Sequence, residues 1–375
     1  MRGTTSRQVT MLGVIDPEEL IPTNHPIRRI RPLVEAALVE LEPTFERMYA
    51  ENGRPSIPPE HLLKSCLLMA LYSIRSERQF CERLRYDLLF KWFLDLNVED
   101  EPFDHSSFAK NRERLLDHRV SRQFFEAVVA QARRRHLLSS HHFTVDGTLL
   151  ESWASMKSLR PRQGDGPGTH PGGGRRNADV DFRGQRRANE TDFSTTDPEA
   201  RMARKGLGTE TRLCFTGHVL MENRHGLAVD VELTPATGTS EREAAMTMLQ
   251  RRGGRRRRCT LGADKGYDTR DFVDRCRAMG VAPHIAMRES WWANGHLARL
   301  QGTPGYQVSQ RRRKRVEEIF GWAKTVGGGR KLRYLGVERN RLWVELTAAA
   351  FNLVRILAGY HASRSAPVAS RSQPA

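Results

Sequence analysis

The sequence predicts an α/β protein in two parts: an all-α unit over residues 1–137 and a mixed-sheet core over residues 138–360. A tail, 361–375, is expected to be disordered. Three observations predict this division. Up to Leu137, apolar residues recur at spacings of three and four, the period of short helices. After His142, β-branched residues alternate around one carboxylate, the period of a strand. Strand-like and helix-like runs then follow one another to Leu357.

Residues 1–24 read as extended, with Pro17 and Pro22 against any helix. From Pro26 to about Tyr49, the residues Ile27, Ile30, Val34, Ala37, Leu38 and Leu41 mark one helical face, and Pro43 predicts a break. Pro58 and Pro59 open a second helix, to about Ser73, because proline is tolerated in a first turn. Ser76 with Gln79 reads as a capping box. Helices at Leu88–Leu94, Ser106–Leu116 and Val120–Leu137 complete the unit. Short helices joined by tight turns suit a helix-turn-helix DNA reader, with Ser106, Ser107, Lys110, Asn111, Arg112 and Arg114 offered to phosphates and bases. An ordinary helical bundle with a solvated charged face fits the same residues.

In the core, Phe143–Leu150 (FTVDGTLL) is the first strand. Residues 160–210 form a polar, basic insertion without apolar period, read as loop. Arg212–Met221 and Leu227–Thr234 make a hairpin turning at Gly226. A helix at Glu241–Gln250, capped by Ser240, and the basic run Arg251–Arg258 follow. Then come a strand Thr260–Ala263, a helix Asp271–Met279, a strand Val281–Ala286, a charged helix from about Ser309 to Thr325 and an apolar helix Val344–Leu357. This order matches an RNase H-like fold, a mixed sheet flanked by helices.

Composition narrows the function. Across 375 residues, 61 Lys and Arg face 44 Asp and Glu, a formal charge of +17 that favours a polyanionic partner through counterion release. The five cysteines form no CxxC pair, which argues against a zinc site or a disulfide framework. The stretches Leu67–Leu71 and Leu346–Leu353 are too short to span a bilayer, and the N-terminus lacks a signal peptide's apolar core. A cytoplasmic protein with no membrane partner is expected.

Cutting a phosphodiester without a covalent intermediate calls for an activated water and charge neutralisation at the leaving oxygen, which two Mg²⁺ ions about 4 Å apart supply on hard carboxylate ligands. Asp146 shares a strand face with Thr144, and Gly147 beside it leaves room for a phosphate backbone. Asp264 ends a strand at a Gly turn, with Lys265 next to it. Either acid alone reads equally as a turn or cap residue. On the charged helix, Gln310, Arg313, Glu317 and Lys324 fall on one stripe, while Glu318 points about 100° away. That stripe reads as a metal ligand with phosphate-binding cations, or as a solvated helix with ion pairs.

Taken together, VDGTLLESWASMKS at Asp146, NETDFSTTDPEARMARKG at Asn189–Gly206, GHVLMENRHGLAVD at Gly217–Asp230, ATGTSEREAA at Ala236–Ala245, ADKGYD at Ala263–Asp268 and RRKRVEEIFGWAK at Arg312–Lys324 resemble bacterial insertion-sequence transposases of the DDE superfamily, insertion-sequence-5 group. The resemblance covers most of residues 140–330, and the N-terminal part resembles the helical domain preceding the core in that group. It implies an RNase H-like catalytic domain and a triad on Asp146, Asp264 and Glu317. It also implies two Mg²⁺ or Mn²⁺ ions, and double-stranded DNA, both terminal inverted repeats and target, as partner. A homodimer or higher synaptic oligomer and a bacterial, nucleoid-associated location are implied too. The group's helix signature is met by Arg313, Glu317 and Lys324, but Gln310 stands where the group has Tyr, which removes an aromatic face. Two rival readings remain: a metal nuclease that cuts without joining, and a regulator that binds DNA through the N-terminal helices alone.

Overall fold

The computed structural model describes residues 16–49, 56–162, 181–182, 185–206, 208–253, 259–286, 300 and 302–365. Among the described residues, seven helices come first: α1 (Pro17–Leu20), α2 (Pro26–Met48), α3 (Pro59–Leu71), α4 (Glu77–Leu84), α5 (Leu88–Phe93), α6 (His105–Asp117) and α7 (Val120–Arg134). The capping box at Ser76 is formed, with Gln79 N donating to Ser76 Oγ at 3.0 Å. The break at Pro43 is not: α2 runs through both Pro32 and Pro43. Leu41, Thr44 and Phe45 are anchored in the core on either side of Pro43. The carbonyl that loses its partner belongs to Val39, 73% exposed, so water can replace the missing N–H.

The core sheet is built on β1 (His142–Glu151), β7 (Arg212–Glu222), β8 (Leu227–Pro235), β9 (Cys259–Ala263) and β10 (Val281–Ile285), with short β6 (Arg201–Ala203) at its far edge. β7 is antiparallel to β1 and β8 to β7, whereas β9 is parallel to β1 and β10 to β9. The order β10-β9-β1-β7-β8, with β1 central, is the RNase H-like arrangement expected from the sequence. Between β1 and β6 the insertion makes small antiparallel pairs, β2 (Leu159–Pro161) with β5 (Asp192–Ser194) and β3 (Asp181–Phe182) with β4 (Gln185–Arg186). The rest of the insertion, 163–180 and 183–184, lies outside the described residues, as do 254–258 of the basic run.

One sheet face packs on α8 (Ser240–Arg252) and α9 (Arg270–Ala278), burying Phe143, Val145, Leu261, Ala245, Leu249 and Phe272 together. Ser240 is the first helical residue of α8 rather than its cap: its Oγ donates back to Thr237 O at 3.0 Å. The other face carries α10 (Pro304–Arg313), α11 (Val316–Thr325) and α12 (Val337–Ser365). The charged segment is therefore two helices, separated at Lys314 and Arg315, where one continuous helix was expected. α12 starts earlier and ends later than expected and takes in residues 361–365; the remainder of the tail lies outside the described residues. By length and apolar composition Val337–Gly359 would cross a membrane, but 67% of that window is buried inside the protein, against α2, α3, α7 and β8.

Candidate active site

Two aspartates are brought together by strand register. In the parallel pair β1–β9, Thr144 lies opposite Gly262. Two residues further along each chain stand Asp146 and Asp264, so the carboxylates leave neighbouring strands at one level. Both accept from backbone amides: Gly147 N to Asp146 Oδ1 at 2.9 Å and Gly266 N to Asp264 Oδ1 at 2.7 Å. Burial pushes the Asp146 carboxyl up to about 6, and the charges of Asp264 and Glu241 add to the rise, while the Gly147 amide and Arg313 oppose it. A carboxylate crowded by two others and only partly offset by one cation is a site that favours a further positive charge.

Gly147 is not open to a phosphate, contrary to the reading of it as a point of close DNA approach. A Cβ there would lie 3.1 Å from Glu241 Cγ, 3.2 Å from Glu241 Oε1 and 3.2 Å from His218 Nδ1. The glycine admits protein side chains instead. Glu241, in the first turn of α8, and His218, opposite Gly147 on β7, are site residues that sequence reasoning missed. An acid in a helix's first turn has an ordinary role in complementing the helix dipole, so Glu241 gave no distinguishing signal.

Glu317 stands apart. It is exposed in the first turn of α11, and among the described residues no three His, Cys, Asp or Glu side chains are close enough to hold one metal ion. A turn at Lys314–Arg315, both still right-handed helical in backbone, separates α10, which carries Gln310 and Arg313, from α11, which carries Glu317 and Lys324. The helix pair packs against β1 and β9. Ser309 Oγ lies 3.2 Å from the point where a Gly262 Cβ would sit, as does Thr144 Oγ1, and Lys324 Nζ donates to Thr148 Oγ1 at 2.6 Å. Thr144 and Thr148 flank Asp146 on the same face of β1, so the segment from Arg313 through Glu317 spans the region over it.

The other sequence candidates fall in different places. Arg313 is half-buried and acts electrostatically on Asp146. Gln310 donates its side-chain amide to His284 O, which ties α10 to β10. Lys265 is exposed on the turn after Asp264, and Lys110 is exposed on α6. Arg112 requires a correction as a DNA contact: it is 7% exposed, paired with Glu77 and Glu113, and its guanidinium carbon lies 4.2 Å from the Tyr334 ring centroid. It fastens α6 to α4 and to the loop before α12.

Two family models match this chain: a transposase domain over residues 15–114 and a transposase DDE domain over residues 188–353. Together they span both structural parts. The chain belongs to the DDE transposase superfamily. The DDE model takes in Asp264, Glu317 and Glu241, while Asp146 lies ahead of it on β1, between β7 and β9. The transposase is also similar, weakly, to solved Mos1 complexes. With a pre-cleavage Mos1 transpososome it shares 12% identity over 90% of this chain and 93% of that one, at a TM-score of 0.20. With a Mos1 paired-end complex with left transposon end it shares 14% over 82% and 94%, at 0.19. With a mariner Mos1 paired-end complex with Mg it shares 10% over 86% of each chain, at 0.19. No curated protein matches this transposase. Its assignment rests on the domain models and on a sheet order that stands by itself.

Proposed function

We propose that this transposase, of the insertion-sequence-5 group, cleaves double-stranded DNA at the terminal inverted repeats of an insertion sequence and transfers the freed 3′ ends to target DNA. The helical unit 1–137 serves DNA binding, the unit 138–360 catalysis, and a homodimer or higher oligomer synapses the two ends. The observation that carries this reading is the pair Asp146, midway along β1, and Asp264, just past the end of the adjacent β9, with the Asp146 carboxyl raised by burial and by its acidic neighbours. Hard oxygen donors at an acid cluster fit Mg²⁺ or Mn²⁺, and two such ions on Asp146, Asp264 and Glu317 would act as Lewis acids at the scissile phosphate and neutralise the leaving oxygen.

The chain's own groups do the positioning. Arg313, already beside Asp146, holds a phosphate oxygen next to the reacting centre. Lys324, anchored on Thr148, and Lys265, exposed past Asp264, bind neighbouring phosphates. Glu317, apart from the two aspartates here, would complete the acid set when the helix segment carrying it closes on β1 with DNA bound.

Purified protein with a labelled terminal-repeat duplex and a plasmid target tests the reading. Cleavage and joining are expected with Mg²⁺, and Asp146→Asn, Asp264→Asn or Glu317→Gln each lower the rate at least about 10³-fold, the scale of losing a group that acts in the transition state. Full activity in any of the three ends its assignment, and cleavage without joining favours a nuclease.

A further inference from the structure

The fold places one more acid at this centre, and neither the triad nor the family match calls for it. Glu241 sits where α8 begins, just after the β7–β8 hairpin returns to the sheet. Its carboxylate lies between Gly147 of β1 and the turn at Gly266 that follows Asp264. Oε1 is 3.2 Å from where a Gly147 Cβ would stand, and Oε2 is 3.5 Å from where a Gly266 Cβ would stand. Each of those glycines follows an aspartate, in Asp146–Gly147 and in Asp264–Lys265–Gly266. At Gly266 the missing Cβ would also meet Asp264 Oδ1, at 2.9 Å. Both glycines thus clear space on the Glu241 side of the aspartate pair.

Two buried polar atoms point the same way. His218 has no exposed surface; its Nε2 bonds to Thr234 Oγ1 at 2.8 Å, and its Nδ1, aimed at the spot over Gly147, has no partner. Tyr267, also fully buried, has an unpartnered hydroxyl and lies within the electrostatic reach of Glu241, Asp146 and Asp264. Unpaired donors and acceptors buried beside three carboxylates are costly unless something polar joins them.

We propose that Glu241 is a fourth functional acid of the transposase site, a positioning residue that receives the hydration shell of a divalent cation held by Asp146 and Asp264. This rests on the reading of those aspartates as the cation-holding pair. Direct ligation by three acids is not formed here, and Mg²⁺ keeps several of its waters, so an acid one water away is the fitting role. The His218 imidazole and the Tyr267 hydroxyl close the same hydrogen-bonded layer.

Mn²⁺ titration of the full chain by calorimetry tests this, alongside the Mg²⁺ concentration that gives half-maximal cleavage. Glu241→Gln is expected to weaken Mn²⁺ binding about 10- to 100-fold, the usual effect of losing an outer-layer partner, and to raise the half-maximal Mg²⁺ by a similar factor while activity returns at saturating metal. Glu243→Gln is the control: it removes the same charge from an exposed residue of α8 that pairs with Arg275. It is expected to leave both values unchanged. If Glu241→Gln fails to fold, Gly147→Ala decides, because its Cβ crowds Glu241 and His218 so that they must give by a few tenths of an ångström, and a smaller but measurable loss of Mn²⁺ affinity is expected, an unchanged affinity overturning the inference. Wild-type affinity in Glu241→Gln, with weakened binding in Asp146→Asn, overturns this inference and leaves the function standing. Absence of Mn²⁺ binding in the wild type overturns both.

Discussion

Individual side chains divide here into those that serve the site and those that hold the molecule together, and charge alone does not separate them. Arg112 lies on a helix with exposed Lys110, yet its partners Glu77 and Glu113 and the Tyr334 ring claim it. Arg112→Ala is expected to cost about 1–3 kcal/mol in denaturant unfolding, since it leaves the half-buried Glu77 without its partner, and to leave the salt dependence of DNA binding unchanged. Lys110→Ala, on the same helix but exposed, is expected to leave stability alone and to lower the salt slope of DNA binding by about 1. A loss of DNA affinity in Arg112→Ala without a loss of stability would reverse that division. Glu345, 4% exposed, accepts from Ser121 Oγ at 2.6 Å, and burial pushes its carboxyl up to about 7 against the opposing effects of Ser121, Arg122 and Arg341. Its folded-state value exceeds its unfolded one, so the native chain holds an extra proton between roughly pH 4.5 and 7. Stability therefore falls as pH rises through that window and stays lower above it. Glu345→Gln should flatten the slope and raise stability at pH 8 by up to about 3 kcal/mol, measured as unfolding free energy against pH.

Among the elements, helix continuity is where local rules and packing part company. α2 keeps its axis through Pro43 because the flanking turns are fixed by Leu41, Thr44 and Phe45. Pro43→Ala restores a backbone hydrogen bond to an exposed turn and should stabilise the protein by about 1–3 kcal/mol, read as a higher Tm. An unchanged or lower Tm would contradict this. The segment of α10 and α11 behaves oppositely. It contains no proline or glycine between Pro304–Gly305 and Gly321, and its residues favour one helix, yet it turns at Lys314 and Arg315. Arg315 donates there to Asn223 O at 3.1 Å and Arg224 O at 2.7 Å, at the end of β7. Those bonds tie the junction of α10 and α11 to the β7–β8 turn. Spacing on a helical wheel located Lys324 and Glu317 relative to each other within α11, whereas Arg313 lies across that junction on α10.

For the molecule as a whole, the two parts expected from the apolar periodicity share one hydrophobic cluster. Leu62, Leu67, Phe80, Phe108, Phe124 and Phe125 of the N-terminal helices pack in the same cluster as Val219 and Met221 of the sheet, Val316 and Ile319 of α11, and Leu346, Phe351 and Ile356 of α12. Arg122 of α7 also pairs with buried Asp230 of β8 at 2.6 Å. A fragment beginning at Leu138 would expose the apolar flank of α12 to water, and at about 25 cal/mol per Å² such exposure is not tolerated by a marginally stable fold. It is expected to bind a hydrophobic dye and to lose its cooperative melt, and the chain to unfold in one transition. Separate transitions for the two parts would contradict this.

Sequence by itself determined the period of nearly every helix and strand, the RNase H-like order of the core, and the two aspartates. Each of these is written locally: in side-chain alternation, in Gly turns after strand ends, or in motifs that need no distant partner to be read. Tertiary structure alone decided that Asp146 and Asp264 stand level, that Glu241 and His218 meet over Gly147, and that Arg112 is spent on packing. Those facts depend on which strands lie side by side and which turns face each other. Strand register and helix docking are set by the sum of many weak apolar contacts between residues far apart in the chain, and no local pattern records that sum.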